Sequence, residues 1–121
     1  MTCRQSFLEH INQLLRVEQF KDYAPNGLQI EGVDDIHSIC TAVTASESVI
    51  DKAIQLKADA LLVHHGYFWK GETPEIVGMK KRRIQKLLSH DINLFAYHLP
   101  LDCHKEFGNN ACLAKILNLN V

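Results

Sequence analysis

Apolar positions fall at helical spacing from the start of the chain. Phe7, Ile11, Leu14 and Leu15 share one face, and Ser6 with Glu9 has the spacing of a capping box. The pattern predicts a helix over residues 6–18. Pro25-Asn26-Gly27 then reads as a turn, because Pro presets φ while Asn and Gly tolerate positive values. Leu28-Gln29-Ile30 alternates like a short strand. From residue 37 a rhythm begins. Residues 39–45 are rich in β-branched side chains and predict a strand. Ser46 can cap the helix behind it, whose buried stripe is Val49, Ile50, Ala53, Ile54 and Leu56. Residues 60–63 form a nearly unbroken apolar run, typical of a strand covered on both faces. A loop holding Gly66, Gly71, Pro74 and Gly78 leads to a helix marked by Ile84, Leu87 and Leu88. Residues 92–97 predict another strand, and Asn109 or Asn110 can cap a last helix through Leu113, Ile116 and Leu117. Strands alternating with helices mean an α/β fold: a mixed, mainly parallel sheet flanked by helices. No linker-like stretch divides the chain, so residues 1–121 read as one domain.

Composition narrows the class without naming a function. With 121 residues, 46% hydrophobic, 22% charged and a formal net charge of −1, the chain has an ordinary globular balance. The lack of a basic excess argues against a duplex-binding domain. No apolar run approaches the roughly 20 residues that span a bilayer, and the amino end has no signal-peptide core. The expected location is cytoplasmic. Cys3, Cys40, Cys103 and Cys112 form no C-x-x-C pair and are expected to stay reduced.

The chemistry collects in two segments. His64-His65 follows one apolar strand, and His98 with Asp102 and His104 follows another. Parallel strands bring their carboxyl ends to one edge of the sheet, where ligands bind. If these strands are neighbours, His64, His65, His98 and Asp102 meet there. Successive residues on a regular strand point to opposite faces. His64 and His65 therefore share one ion only where the strand breaks into loop; at such a breaking end they can instead address two ions a few ångströms apart. Mixed imidazole–carboxylate sites suit zinc, iron, manganese and similar ions. Paired ions of this kind serve hydrolytic chemistry.

The stretches YAPNGLQIEG (23–32), VTAS (43–46), ADALLVHHGYFWKGE (58–72), DINLFAYHLPLDCH (91–104) and FGNNACLA (107–114) resemble the YbgI-like family. These are the NIF-three-like proteins, often called GTP cyclohydrolase I type 2 homologues. The resemblance runs along nearly the whole chain, and HHG and HLPLD are its specific part. It implies a two-part α/β architecture, a dinuclear metal centre and a toroidal homohexamer. By motif position it implies that His64, His65 and Asp102 are metal ligands and that His98 lies beside the centre. The family's remaining ligands come from a His-x-x-x-Glu segment in a carboxyl-terminal half. No such segment follows Asp102, so the chain is expected to be the amino-terminal half.

The other segments have plainer explanations. Tyr67, Phe68 and Trp69 offer either a stacking surface for a nucleobase or a hydrophobic plug. Lys80-Lys81-Arg82-Arg83 opens an amphipathic helix and is expected to be a solvated face rather than an anion site. Glycine-loop phosphate fingerprints are absent. The expected function is a metal-dependent hydrolase acting on a small, nucleotide-like substrate, with His98 in proton transfer or ligand support. The alternative is a non-catalytic metal-binding scaffold or regulatory ring, which the resemblance links in some members to DNA-damage protection.

Overall fold

The computed structural model describes residues 1–120. β1 (Thr2–Cys3) runs straight into α1 (Arg4–Leu15), and a single 3-10 turn follows at Val17–Gln19. Then come β2 (Gly27–Ile30), β3 (Asp35–Ile36), β4 (Ile39–Thr44) and α2 (Glu47–Gln55). β5 (Ala60–His65), α3 (Gly78–Ser89), β6 (Asn93–Ala96), α4 (Leu99–Cys103) and α5 (Asn109–Ile116) complete the chain. The main sheet has the order β2-β6-β5-β4. β4, β5 and β6 are parallel, and β2 joins β6 antiparallel. The sheet is mixed and mainly parallel, as expected.

The two faces of this sheet are separated by a period of two. Leu61, Val63, Leu94 and Ala96 pack with Ile50 and Ala53 of α2 and with Ile84 and Leu87 of α3. Ala60, Leu62, Phe95 and Tyr97 point the other way, against Phe7, Leu8, Ile11 and Leu15 of α1. A register shift between Leu28 and Ile30 lets β2 contribute one apolar side chain to each face. Ser46 caps α2 as expected, its hydroxyl accepting from Val49 N at 3.3 Å.

Two capping expectations are corrected. α1 begins two residues before Ser6, with Cys3 as N-cap and no side-chain cap. The cause is tertiary: β1 pairs with β3, and Arg4 is anchored by its N–H to Asp34 O and by its guanidinium to Gly32 O at 2.7 Å. The helix also stops at Leu15, where Arg16 turns left-handed with φ 51°. α5 is capped by Gly108, and neither Asn109 nor Asn110 caps it through a side chain. The amide of Asn109 is engaged elsewhere, at Asp102.

One buried polar side chain ties the layers together. Asn93 is fully buried, and its Oδ1 accepts from Gly32 N at 2.7 Å. Its Nδ2 donates to Val33 O at 2.8 Å and Asp59 O at 3.1 Å. It therefore supplies the backbone of the β2–β3 connection with partners that the sheet does not provide. No helix among the described residues is long and apolar enough to cross a membrane.

Candidate functional site

β5 and β6 are adjacent and parallel, with Val63 opposite Ala96, so their carboxyl ends open on the same edge. His64 and His65 are the last residues of β5, and His98 lies two residues beyond β6. The strand does not break before the paired histidines, since Thr44 still pairs with His65. Their rings nevertheless meet over the strand end, with centroids 4.5 Å apart. Each is turned by an anchor on a different neighbouring strand. His64 Nδ1 lies 2.8 Å from Tyr97 O after β6, and His65 Nδ1 lies 3.2 Å from Thr44 Oγ1 on β4.

His98 joins them, 5.0 Å from His64 and 5.7 Å from His65 between ring centroids. One nitrogen from each of His64, His65 and His98 lies within 4.8 Å of the others, a group that could hold a metal ion. Asp102, on the first turns after β6, reaches the same place, with Oδ1 3.3 Å from His64 Nε2. All four residues singled out in the sequence are thus brought together. His104 is not: its Nδ1 accepts from the N–H groups of Glu106 and Phe107, and its ring stacks on Phe107.

Hydrogen bonding fixes which nitrogens face the cluster. Tyr97 O can only accept, so His64 Nδ1 carries the proton and Nε2 presents a lone pair in the neutral ring. That lone pair faces the Asp102 carboxylate, which is also an acceptor. Two acceptors so close are bridged either by a proton on Nε2, which makes an ion pair, or by a metal cation. Two donors about 2.1 Å from one tetrahedral ion stand roughly 3.4 Å apart, so the pair suits a metal such as zinc. Burial, followed by the charges of His64 and His98, holds the His65 imidazole below its ordinary range, against the opposing pull of Asp102. A neutral ring is the form that binds metal.

Asp22, which sequence reasoning missed, supplies the main support, with Asn26 and Asn109, read in the sequence as a turn and a cap, beside it. Asp22 is almost wholly buried, with 2% of its side chain exposed, and its Oδ1 accepts from His98 Nδ1 at 2.8 Å. The same carboxylate accepts from the N–H of Tyr23, the N–H of Leu99 and the amide of Asn26. Burial alone would raise its pKa. The hydrogen bonds from His98, Asn26, Leu99 and Tyr23 together override that and bring it down to about 2. Asn26 also accepts His98 N–H at 2.7 Å, so the predicted turn at 25–27 is a clamp on the site. Asn109 Nδ2 donates to Asp102 Oδ1 at 2.9 Å and aims that carboxylate. Thr44 was legible only as part of a strand, and Asp22 carried no pattern at all.

The three aromatics divide their roles. Tyr67 is a plug, buried and donating its hydroxyl to Ala45 O at 2.6 Å. Phe68 is largely exposed. Trp69 forms a wall of the cluster, edge-on to His98 at 4.8 Å between centroids. The turn between His65 and Tyr67 must be Gly66, because a Cβ there would collide with the Gln29 carboxamide and the Ala96 methyl. Gln29 grips this turn by accepting Tyr67 N–H and donating to Tyr67 O. Gly66→Ala is therefore expected to cost about 1–3 kcal/mol in chemical denaturation, by forcing Gln29 off the turn.

Fold and cluster define an α/β protein with an imidazole-rich group, able to hold a metal ion, at the carboxyl edge of a mainly parallel sheet. The profile of the Duf34/NIF3 (NGG1p interacting factor 3) family matches residues 2–121, and the chain belongs to that family. A Haemophilus influenzae protein called GTP cyclohydrolase 1 type 2 homolog is 62% identical over 109 residues, covering 90% of this chain and 43% of its own. Its Salmonella typhimurium namesake is 57% identical over 111 residues, covering 92% of this chain and 45% of its own. The solved structure of protein YbgI, described as of unknown function, matches with a TM-score of 0.94 at 52% identity. That match covers 96% of this chain and 47% of the other. The chain spans about half the length of the curated relatives it matches.

Proposed function

We propose that the chain carries one part of the centre of a metal-dependent hydrolase acting on a small, nucleotide-like substrate. His64, His65 and Asp102 hold divalent ions, and His98 holds and moves a proton at Nε2. The observation that supports this most directly is the facing pair of acceptors, His64 Nε2 and Asp102 Oδ1, 3.3 Å apart inside a group of three imidazoles. A divalent ion supplies there the Lewis acidity that makes water a nucleophile near neutral pH. The protein's own contribution is orientation. Tyr97 O, Thr44 and Asp22 each occupy an Nδ1 and turn the Nε2 atoms inward, a support that metal-binding histidines usually need. Trp69 closes one side. Three protein donors, His64, His65 and Asp102, suffice for one ion with an open position. A second ion takes further donors, which we assign to the remaining length of the longer relatives, so that this chain corresponds to their amino-terminal half. Copies are expected to associate, as the β4 edge is open and Ile39 and Val43 on it are exposed.

The second reading is a metal-binding scaffold without turnover. It is favoured by one observation: the mutually close triple includes His98, and if His98 ligates, no free base remains. His98→Gln separates the two. In a hydrolase the variant keeps its metal, measured by elemental analysis, and loses turnover of a nucleotide panel by about 10²-fold or more. In a scaffold the variant loses metal and the unaltered protein turns over nothing. Absence of bound zinc, iron and manganese from the unaltered protein after exposure to each would defeat both.

A further inference from the structure

The basic run at the start of α3 does not behave as one solvated face. Lys81 and Arg82 are exposed, whereas Lys80 and Arg83 are partly buried and line a cavity of about 230 Å³. Thr44, His65 and Trp69 line the same cavity, so His65 belongs both to the imidazole cluster and to this cavity.

Arg83 is the anomaly. Its Nε is buried and has no hydrogen-bond partner. Among the described residues neither Arg83 nor Lys80 takes part in an ion pair, although Arg4, Lys86 and three histidines do. The Lys80 ammonium has only Thr73 O at 3.5 Å and the face of Phe68 at 4.9 Å. The one carboxylate lining the cavity, Glu72, is held by Trp69 N–H at 3.1 Å. The Arg83 guanidinium lines the cavity beside the Tyr67 hydroxyl and has no carboxylate partner among the described residues, so an oxyanion in the cavity supplies the counter-charge it lacks.

We propose that this cavity is an anion subsite in which Arg83 and Lys80 bind a phosphate group of the molecule whose other end reaches the imidazole cluster. Arginine's fork fits a tetrahedral oxyanion, and Lys80 adds a second, movable charge. The cavity is about the size of a phosphate with part of its ester, and the shared His65 wall places it directly beside the metal-holding group. The placement of the ligand's other end rests on the reading of that cluster as a reacting centre. The anion site itself does not.

The test titrates inorganic phosphate, and in parallel a nucleoside monophosphate, into the chelator-treated protein by calorimetry, so that no metal competes for the anion. The unaltered protein is expected to bind phosphate with a Kd of about 1 mM or tighter. Arg83→Gln is expected to weaken it at least about tenfold, and Arg82→Gln, its exposed neighbour, to leave it within about twofold. Arg83→Lys and Lys80→Gln repeat the test with smaller lesions should Arg83→Gln fold poorly. No binding by the unaltered protein, equal binding by the Arg83 and Lys80 variants, or an equal loss with Arg82→Gln would each overturn the subsite. A monophosphate binding more tightly than phosphate marks a ligand-borne group; equal binding would overturn the claim that the group belongs to a longer molecule. Metal content of the same samples is measured separately. Metal without phosphate binding defeats this subsite alone, and phosphate binding without metal defeats only the centre.

Discussion

Asp22→Ala is expected to lower turnover of a nucleotide substrate by about 10²-fold, as His98→Gln does, and to destabilise the protein by about 3–5 kcal/mol. The carboxylate is nearly sealed from solvent and satisfies four donors: His98 Nδ1, Asn26 Nδ2 and the N–H groups of Tyr23 and Leu99. Its removal leaves each without its acceptor, two of them at the point where β6 turns into α4. The His98 ring is then free to rotate, and the cluster loses the orientation that makes three imidazoles converge. Asp22→Asn separates charge from shape. It keeps the volume, yet one of its two terminal atoms becomes a donor facing donors. Turnover should therefore fall nearly as far as in Asp22→Ala, with a smaller loss of stability. Turnover of the nucleotide panel and urea denaturation measure the two effects. An Ala variant with an unchanged denaturation midpoint would contradict the account.

Asn93→Leu is the second large lesion, and it strikes the fold rather than the site. The side chain lies fully buried at the start of β6 and makes three hydrogen bonds, all to backbone groups of other segments. Leu has nearly the same volume, so packing is roughly conserved. Gly32 N–H loses its acceptor, whereas Val33 O keeps Arg4 Nη1 and Asp59 O keeps the Asn93 backbone N–H. At about 1–3 kcal/mol for a buried group left unsatisfied, the expected loss is about 1–3 kcal/mol, a sizeable share of the stability of a domain this size. Urea denaturation should show a lowered midpoint. A loss below about 1 kcal/mol would mean that the β2–β3 connection is held by something else.

The contrast between these two residues shows what could be read in advance. The period-two alternation on β5 and β6 and the stripe of α2 are written in adjacent residues, and both elements stand where the pattern puts them. His64, His65 and Asp102 were legible because a pair of imidazoles after an apolar run is unusual. Asp22 was not legible, because its role depends on a contact with His98 across 76 positions. A single acid in a loop sequence is normally solvated. Asn109 misled in the other direction: the residue type suits a helix cap, yet the amide is turned to Asp102 while Gly108 takes the capping position. α4 escaped because it is five residues long and carries Pro100 in its first turn, where proline suits a helix start but looks like a breaker. Lys80 and Arg83 were assigned to solvent with their neighbours because a run of like charges carries no sign of which members face a cavity.

Trp69 is the chain's only tryptophan, and its indole stands edge-on to His98 and 6.0 Å from His65 between ring centroids. Tryptophan emission, excited beyond the absorption of the three tyrosines, therefore originates beside the imidazoles. The protein carries a built-in luminescent gauge of that corner, one that needs no label and reports on occupancy in real time.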